Sequence, residues 1–367
     1  MMRIAFDYQV FLFQEYGGIS RYYSRLANSL DSLEGVEAKI FAPLHINAYL
    51  PELPAGMVKG RDVRHWRKSK KLFRAINVAG SRMQLGLYRP SIVHETYYSQ
   101  KSVAPKGVPL VVTVYDMIHE RFSDKFPQKD RTSLLKRVAV ERADHVICIS
   151  NSTRNDLVEH FQIPDEKVSV VYIGFEAFRA QEERGGLQMD GKPYFLYVGQ
   201  RSVYKNFQNF IRAFAASSEL KRNSKVVCFG GGGFNGEEKA IFSALKLAES
   251  QMIQIGGDDD ALAECYKNAF AFVYPSLYEG FGIPPLEAMS LDCPVICSHT
   301  SSIPEVTGQA AEYFDPASID SIREGLERVA TSPTRRNELV SLGRERYPLF
   351  TWPRCAKETL AIYETLV

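Results

Sequence analysis

Short apolar runs alternate with stretches of helical periodicity along the first half of the chain. Between the first two runs, apolar side chains recur at helical spacing at Ile19, Tyr22, Leu26 and Leu30. A strand, a helix and a further strand in succession is the signature of a parallel sheet, so we predict a doubly wound α/β domain. The apolar runs that we read as strands lie at 3–6, 36–41, 91–95, 109–115, 145–149 and 168–172.

The second half repeats the same alternation after a polar stretch. Residues 178–192 are polar, contain glycine and show no apolar period, so we read them as an interdomain linker. Strands are predicted at 194–198, 225–229, 252–255, 270–274 and 294–297, with helices such as 206–216 and 237–249 between them. These patterns predict a domain at 1–180, a second α/β domain at 181–348 and a final helical segment at 349–367.

Composition restricts the classes of protein that fit. The 367 residues are 45% hydrophobic and 24% charged, which is enough for sizeable cores and more than one domain. A formal net charge of +2 argues against a general polyanion-binding role. Six cysteines without a C-x-x-C spacing indicate buried free thiols in a reducing compartment. Because the chain opens on a strand and has no 18-residue apolar window, we expect a cytoplasmic protein.

Two glutamates, Glu279 and Glu287, flank a segment rich in glycine and proline. The apolar run at 271–275 predicts a strand that passes through Gly280 and Gly282 into a helix beginning near Pro284. The free N–H groups and dipole of a helix N-terminus favour an anion, and carboxylates accept hydrogen bonds from hydroxyls. The segment therefore suits a nucleotide sugar. Taken singly, Glu279 also fits a solvated loop residue, and Glu287 a first-turn helix acid.

Two basic residues follow the first predicted strand of the second domain. Arg201 and Lys205 lie between that strand and a helix, at the sheet edge where open α/β sheets bind ligands. Two positive charges there suit a diphosphate and would offset the charge that builds up on a leaving nucleotide diphosphate. The alternative is a pair of exposed basic side chains on a loop.

These segments resemble glycosyltransferase family 4, whose members are retaining enzymes of GT-B fold. Tyr278–Met289 resembles the family's E-x7-E region, Val198–Asn206 its phosphate-clamp segment, and Tyr16–Tyr22 its N-terminal glycine loop. Pro294–Ser298 and Ile303–Val306 resemble the strand and turn that follow the two acids. The resemblance implies two Rossmann-like domains facing a cleft, with the acceptor on the first, the donor on the second, and the C-terminal helix crossing back to the first.

The resemblance also implies roles for individual residues. Glu287 would bind ribose hydroxyls, Glu279 the donor sugar, and Arg201 with Lys205 the diphosphate, and these last three would carry the catalysis. The full donor-binding set that it implies is Gly17, Gly18, Arg201, Lys205, Glu279, Gly280, Phe281, Gly282, Ile283 and Glu287. Neither a metal nor another cofactor is expected.

The first domain departs from the family pattern at one position. Family members commonly carry His directly before Asp116, whereas this chain has Tyr115, which can donate a hydrogen bond but does not titrate near neutral pH. His119 is a candidate substitute, with an ordinary loop histidine as the alternative. Ser150 matches a serine of relatives, and capping of the following helix explains it equally well. We take Tyr115, Asp116, His119 and Ser150 as candidate contacts to the sugar or acceptor.

Two further motifs favour structural explanations. Gly231, Gly233 and Gly236 satisfy G-x-G-x-x-G after a strand, but no acid follows at the ribose-binding position of a dinucleotide site, so a glycine turn is preferred. Asp258–Asp260 contains D-x-D, a metal-binding pattern in transferases of another fold. Because a helix follows directly, we predict that these acids cap it and complement its dipole.

Residues 61–89 form a basic segment with nine Arg or Lys and a single acid, Asp62, interleaved with large apolar side chains. Such a composition attracts anionic lipid surfaces, and a solvated helix face is the equal alternative. Nucleic acid is disfavoured because no recognition motif accompanies the segment. If the lipid reading holds, the protein would be peripheral at the inner face of the membrane.

The sequence thus predicts a glycosyltransferase that moves a hexose from a nucleotide diphosphate sugar, of the UDP-glucose or GDP-mannose type, to a hydroxyl of a glycan or lipid-linked acceptor. The alternatives are another enzyme of the same fold, such as a sugar-nucleotide epimerase or a phosphorylase, and an inactive carbohydrate-binding scaffold.

Overall fold

A computed structural model describes residues 1–65, 70–178 and 191–367, without the side chain of Lys70. The chain divides into two compact units. The first unit comprises Met1–Gly174 and Phe350–Val367, and the second comprises Phe175–Leu349. Most of the predicted linker, 179–190, lies outside the described residues.

The first unit is built on a parallel sheet with helices packed against it. Within the described residues its strand order is β2-β1-β5-β6-β7-β8, so the order reverses between β1 and β5. A separate parallel pair joins β3 and β4. The strands are β1 Met2–Phe6, β2 Val36–Ile40, β3 Leu44–His45, β4 Arg61–Asp62, β5 Ile92–Glu95, β6 Leu110–Val114, β7 His145–Cys148 and β8 Val168–Val170.

Helices of the first unit connect these strands, and a last helix returns to them from the C-terminus. They are α1 Gln9–Phe13, α2 Gly18–Asp31, α3 Lys70–Tyr88, α4 Ile118–Arg121, α5 Thr132–Arg142 and α6 Asn151–Phe161, and the C-terminal helix is Trp352–Glu364. The C-terminal helix packs against α2. Its Tyr363 hydroxyl lies 2.5 Å from Nδ1 of His94 on β5, deep in the core.

The second unit contains another parallel sheet, with the order β11-β10-β9-β12-β13-β14 among the described residues. This is the doubly wound order in which a crevice opens where the winding reverses, between β9 and β12. The strands are β9 Tyr194–Val198, β10 Lys225–Phe229, β11 Met252–Ile255, β12 Ala271–Tyr274, β13 Val295–Ser298 and β14 Ala311–Phe314.

Helices pack against this sheet, and one hydrophobic core joins Phe195 of β9 to Phe210, Phe214 and Leu326 of the helices. The helices are α7 Phe207–Ala216, α8 Ser218–Asn223, α9 Gly236–Ala244, α10 Asp259–Asn268, α11 Ile283–Ser290, α12 Ile303–Thr307, α13 Ile319–Thr331 and α14 Pro333–Arg346. The C-terminal helix Trp352–Glu364 is therefore α15.

Every strand predicted from an apolar run is present, within two residues at each end. Three of the strands in the described residues were not predicted. β14 carries a charged residue within Ala311-Glu-Tyr-Phe314 and is an edge strand, and β3 and β4 are two residues each. The six cysteines are buried free thiols, as predicted.

The chain leaves the first unit at Gly174 and re-enters it at Phe350. A Cβ added to Gly174 would lie 2.5 Å from a ring carbon of Trp352 and 2.6 Å from its Cα. Only glycine therefore fits at this crossing without a shift of the backbone. The Tyr172 and Phe350 rings meet beside it, with centroids 5.9 Å apart.

Candidate active site

The candidate active site lies in the second unit, at the carboxyl ends of β9 and β12, where the strand order reverses. The loop after β9 carries Lys205, and the loop after β12 carries Glu279. A backbone hydrogen bond of 2.7 Å from Leu277 N–H to the Tyr204 carbonyl ties the two loops together. The fold thus brings together two predicted site residues that are 74 positions apart in the sequence.

Lys205 and Glu279 form an ion pair with Nζ donating to Oε1 at 2.6 Å. The lysine side chain is 20% exposed and that of the glutamate 10%, so the pair is largely buried but still reached by solvent. The Tyr204 and Tyr274 rings each lie 5.5 Å from Nζ and add cation–π attraction. Lys205 is therefore a fixed positive charge beside a carboxylate.

Tyr274, the last residue of β12, supports the same carboxylate. Burial raises the pKa of its hydroxyl well above the usual value, and the nearby charge of Glu279 with its hydrogen bond adds to the effect. The tyrosine therefore stays protonated at neutral pH and can only donate to Glu279.

The backbone around Glu279 is fixed by a serine pair in the turn after β13. Glu279 N–H donates to Ser301 Oγ at 3.0 Å, and the Ser302 hydroxyl lies 2.9 Å from the Glu279 carbonyl and 2.8 Å from that of Phe281. These contacts hold the main chain at Glu279, while its carboxylate is held by Lys205 and Tyr274.

Gly282 connects this loop to α11 with φ 115°, a conformation that a side chain would strain. Pro284 and Pro285 follow in the first turn, as predicted. The positive end of the α11 dipole thus lies directly after Glu279 in the chain.

Glu287, in the second turn of α11, is held by a different neighbour. Its Oε2 accepts a hydrogen bond of 3.1 Å from the hydroxyl of Tyr266 on α10. Burial, followed by the charge of Glu287, raises the pKa of Tyr266 well above its usual value, so this donor also remains protonated. Glu287 is half-buried with one oxygen engaged by Tyr266.

Arg201, which the resemblance assigns to the diphosphate, lies beside Glu238 and the loop after β10. Its guanidinium is only 5% exposed and is paired with Glu238 on α9, with Nε at 2.5 Å from Oε1. The other nitrogens donate to backbone carbonyls of Gly230, Gly231, Gly232 and Gly233 at 2.9–3.4 Å. In this structure Arg201 organises the loop after β10.

The contact between Arg201 and the glycine carbonyls also explains the glycine-rich turn after β10. Gly230, Gly231 and Gly232 all have positive φ, and a Cβ at Gly231 would lie 2.8 Å from the Arg201 guanidinium. This turn presents carbonyl oxygens to a cation, whereas a phosphate cradle presents N–H groups. The preferred reading, a glycine turn in place of a dinucleotide fingerprint, agrees with this geometry.

Asp258 caps α10 by accepting a hydrogen bond of 3.0 Å from Ala261 N–H, so the predicted capping role is confirmed. Ser150 likewise caps α6 through Thr153 N–H at 3.0 Å and is fully buried. Capping thus accounts for both residues.

The remaining candidates lie after β6 in the first unit. The Tyr115 ring is buried against Tyr22 and Tyr23, with centroids 5.6 and 6.3 Å away. Asp116 Oδ1 accepts from Ile118 N–H at 3.0 Å. The His119 ring stacks on Phe126 with centroids 4.1 Å apart.

Gly17 and Gly18 start α2 after β1, as the glycine-loop prediction required. These candidates belong to the first unit, whereas Lys205 and Glu279 belong to the second.

Several residues at the site were missed by sequence reasoning: Glu238, Tyr266, Tyr274, Ser301 and Ser302. Tyr274 carried a signal, because a tyrosine at the carboxyl end of a buried strand needs a partner for its hydroxyl. The others act across loops that no local pattern connects.

Two family models match adjoining halves of the chain. Residues 16–177 match Glycosyltransferase Family 4, and residues 179–346 match Glycosyl transferases group 1. The chain is 25% identical over 372 residues to O-antigen chain mannosyltransferase B of Escherichia coli, a match that covers 95% of this chain and 96% of that protein. It is 26% identical over 282 residues to the MMP alpha-(1->4)-mannosyltransferase of Mycolicibacterium hassiacum, covering 72% and 67% of the two chains.

Solved structures agree on the fold. Sucrose-phosphate synthase from Thermosynechococcus elongatus superposes with a TM-score of 0.74 at 20% identity, covering 100% of this chain and 99% of the other. Anabaena Alr3699/HepE in complex with UDP-glucose gives a TM-score of 0.71 at 16% identity, covering 98% and 100%. The two doubly wound units thus have the GT-B fold. The chain belongs to glycosyltransferase family 4, with a group 1 C-terminal region.

Proposed function

We propose that this glycosyltransferase is a retaining hexosyltransferase that uses a nucleotide diphosphate sugar and transfers its hexose to a hydroxyl of a glycan or lipid-linked acceptor. The observation that carries the proposal is the Lys205–Glu279 pair at 2.6 Å, at the strand reversal of the second sheet and directly before α11. A fixed cation, a carboxylate and a helix N-terminus in one place suit a diphosphate joined to a polyhydroxylated ring.

The names of the similar proteins indicate which nucleotide sugars should be tested first as donors. Two curated relatives are named as mannosyltransferases, and one structural neighbour was solved with UDP-glucose. We therefore propose a mannose or glucose donor, of the GDP-mannose or UDP-glucose type, and acceptors of the polysaccharide-biosynthesis kind, as for the O-antigen relative.

In the proposed reaction the bond between the sugar anomeric carbon and the diphosphate oxygen breaks, and the acceptor oxygen bonds to that carbon on the same face. The acceptor's proton passes to the departing phosphate oxygen. Lys205 offsets the negative charge that grows on the diphosphate, and its pairing with Glu279 holds it in position before the donor arrives.

The carboxylates orient the donor. Glu279 accepts hydrogen bonds from hydroxyls of the transferred sugar, and the carboxylate of Glu287 accepts from the ribose. Arg201 is assigned a positioning role through the glycine turn after β10. We propose that no metal is needed, since Lys205 supplies the positive charge and Asp258 is engaged in capping α10.

The experiment is a thermal-shift panel with GDP-mannose, UDP-glucose, GDP-glucose and UDP-galactose, with and without EDTA. A ligand that binds only the folded state at about 100 times its dissociation constant adds ~2.7 kcal/mol of stability. We expect one donor to raise the melting temperature equally with and without EDTA, and Glu287→Gln to abolish that shift. A shift that requires Mg²⁺ or Mn²⁺ would overturn the metal-free proposal, and no shift with any donor would overturn the donor class.

A further inference from the structure

Helix α3 carries a row of large apolar side chains on its outward face. Leu72, Ile76, Met83 and Leu87 are 47%, 41%, 64% and 78% exposed. At 3.6 residues per turn these positions fall within an arc of about 60°, and the row extends ~22 Å along the helix. Isolated exposed apolar residues are ordinary, but a continuous row on one helix marks an interaction surface.

The opposite face of α3 fixes which way the row points. Asn77 is fully buried and exchanges hydrogen bonds of 3.0 Å with both the N–H and the carbonyl of Leu44. The Ser81 hydroxyl donates to the Phe41 carbonyl at 3.2 Å, and Leu85 is completely buried. Because these polar contacts require one rotational setting, the helix cannot turn to hide the apolar row.

Charge on the same helix has a single sign. The sequence of α3, Lys70–Tyr88, contains no Asp or Glu. Lys71 and Arg82 are exposed and lie about 80–100° to one side of Leu72 around the helix. A further exposed basic residue, Arg61, precedes the helix in the segment that the sequence marked as basic, whereas Arg64 there is paired with Asp62 at 2.7 Å.

These features specify the occupant of the row. A second copy of α3 would bring Lys71 and Arg82 against identical charges with no acid on the helix to pair them, so self-association through this face is disfavoured. An apolar row bordered by cations matches the boundary of an anionic bilayer, where acyl chains lie beneath lipid phosphates. None of the helices in the described residues is long and apolar enough to cross a membrane, so α3 would lie flat.

We infer that α3 docks the protein on an anionic lipid surface, with Leu72, Ile76, Met83 and Leu87 in the interface and Lys71 and Arg82 on the lipid phosphates. The inference goes beyond sugar transfer and does not depend on the donor. Failure of vesicle binding would leave the donor thermal shift untouched, so the two proposals fail separately.

The first test is flotation of the full chain with phosphatidylcholine vesicles, with or without 30% phosphatidylglycerol. We expect binding only to the anionic vesicles, falling as salt rises because screening shortens to about 8 Å at physiological ionic strength. Met83→Glu with Leu87→Glu, and separately Lys71→Glu with Arg82→Glu, should each lower the bound fraction at least tenfold. Leu134→Glu on α5, where the leucine is 50% exposed outside the row, is the matched control and should bind as wild type.

The second test reports insertion directly. All six native cysteines are buried, so a cysteine placed at Met83 can be labelled selectively with an environment-sensitive fluorophore. Anionic vesicles should shift its emission to the blue, and the same label at Leu134→Cys should not respond.

Equal binding to neutral and anionic vesicles, wild-type binding by Met83→Glu with Leu87→Glu, or an unshifted label at position 83 would each overturn the inference. The apolar row would instead be assigned to a second copy of the chain by a different result. In that case the protein does not bind vesicles, and sedimentation velocity shows a dimer that Met83→Glu with Leu87→Glu converts to a monomer.

Discussion

At the scale of single residues, Lys205 is the group on which the proposed chemistry depends most. Lys205→Ala removes a fixed charge beside the reacting diphosphate, and we expect the barrier to transfer to rise by about 2–4 kcal/mol with little change in melting temperature. Steady-state kinetics with the donor identified by thermal shift measures this. Lys239→Ala, an exposed lysine on α9, is the control and should keep wild-type turnover.

The two glutamates should give different kinetic signatures. Glu287→Gln weakens a contact made equally in ground and transition states, so KM should rise, whereas Glu279→Gln removes a group next to the reacting sugar, so kcat should fall. Measuring both constants for both variants, with circular dichroism to check folding, separates these roles. An effect of Glu279→Gln on KM alone would show that the assignment is wrong.

Arg201 is expected to matter for stability as well as for activity. Arg201→Ala would leave Glu238 buried without its partner and four glycine-turn carbonyls without a donor, which should cost about 3–5 kcal/mol of folding free energy. Urea unfolding of the second unit tests this. Arg201→Lys keeps the positive charge but loses the planar guanidinium, so its free energy of unfolding should lie between those of the wild type and Arg201→Ala. An unchanged urea midpoint for Arg201→Ala would contradict the buried pairing.

At the scale of elements, α15 is attached to the first sheet through His94. Burial lowers the pKa of His94 to about 3 from an ordinary 6.5. Below pH 6.5 the unfolded chain therefore binds a proton at His94 that the folded chain does not bind. The contribution of His94 to the free energy of unfolding is present above pH 6.5 and is lost as the pH falls towards 3. The slope is about 1.4 kcal/mol per pH unit.

A neighbouring acid acts in the opposite direction. Burial, with the charge of Asp7, raises the pKa of Glu95 to about 7 from 4.5. Its contribution is therefore present below pH 4.5 and lost as the pH rises through 7. The net pH profile of the wild type combines both groups, so the test must compare variants.

The comparison uses urea unfolding of the Trp66→Phe protein, in which Trp352 of α15 is the remaining tryptophan. The Trp66→Phe protein is compared with the same protein carrying His94→Gln. The difference between their free energies of unfolding should shrink by about 1.4 kcal/mol for each pH unit below 6. A constant difference between pH 6.5 and 4.5 would mean that His94 is not buried in its neutral form. Tyr363→Phe, which removes one hydrogen bond, should leave the slope intact.

The elements themselves could be predicted well, because strands of a buried parallel sheet are continuous apolar runs. The site could be predicted only in part. Glu279 could be predicted from the glycines and prolines that follow it, and Lys205 from its position after a predicted strand. Pairings such as Arg201 with Glu238 or Tyr266 with Glu287 join separate elements 37 and 21 residues apart, and no local periodicity encodes which loops meet.

At the scale of the whole molecule, the first unit is completed by residues that follow the second in the chain. Ending the protein after Leu349 would remove α15 and expose the core around Tyr22 and Tyr23, against which Trp352 and Tyr363 pack. We expect scanning calorimetry to show loss of the transition of the first unit, while that of the second remains and still shifts with the donor. Two unaltered transitions would show that α15 is dispensable.

The crossing at Gly174 and Trp352 has a consequence for how this protein can be re-engineered. The chain departs from and returns to the first unit at one tight contact, so residues 175–349 form a cassette with adjacent splice points. A cassette taken from another family member would be joined at those two points, with Gly174 kept because a side chain there would meet Trp352. Chimaeras cut there should inherit sugar choice from the cassette and lipid attachment from the frame.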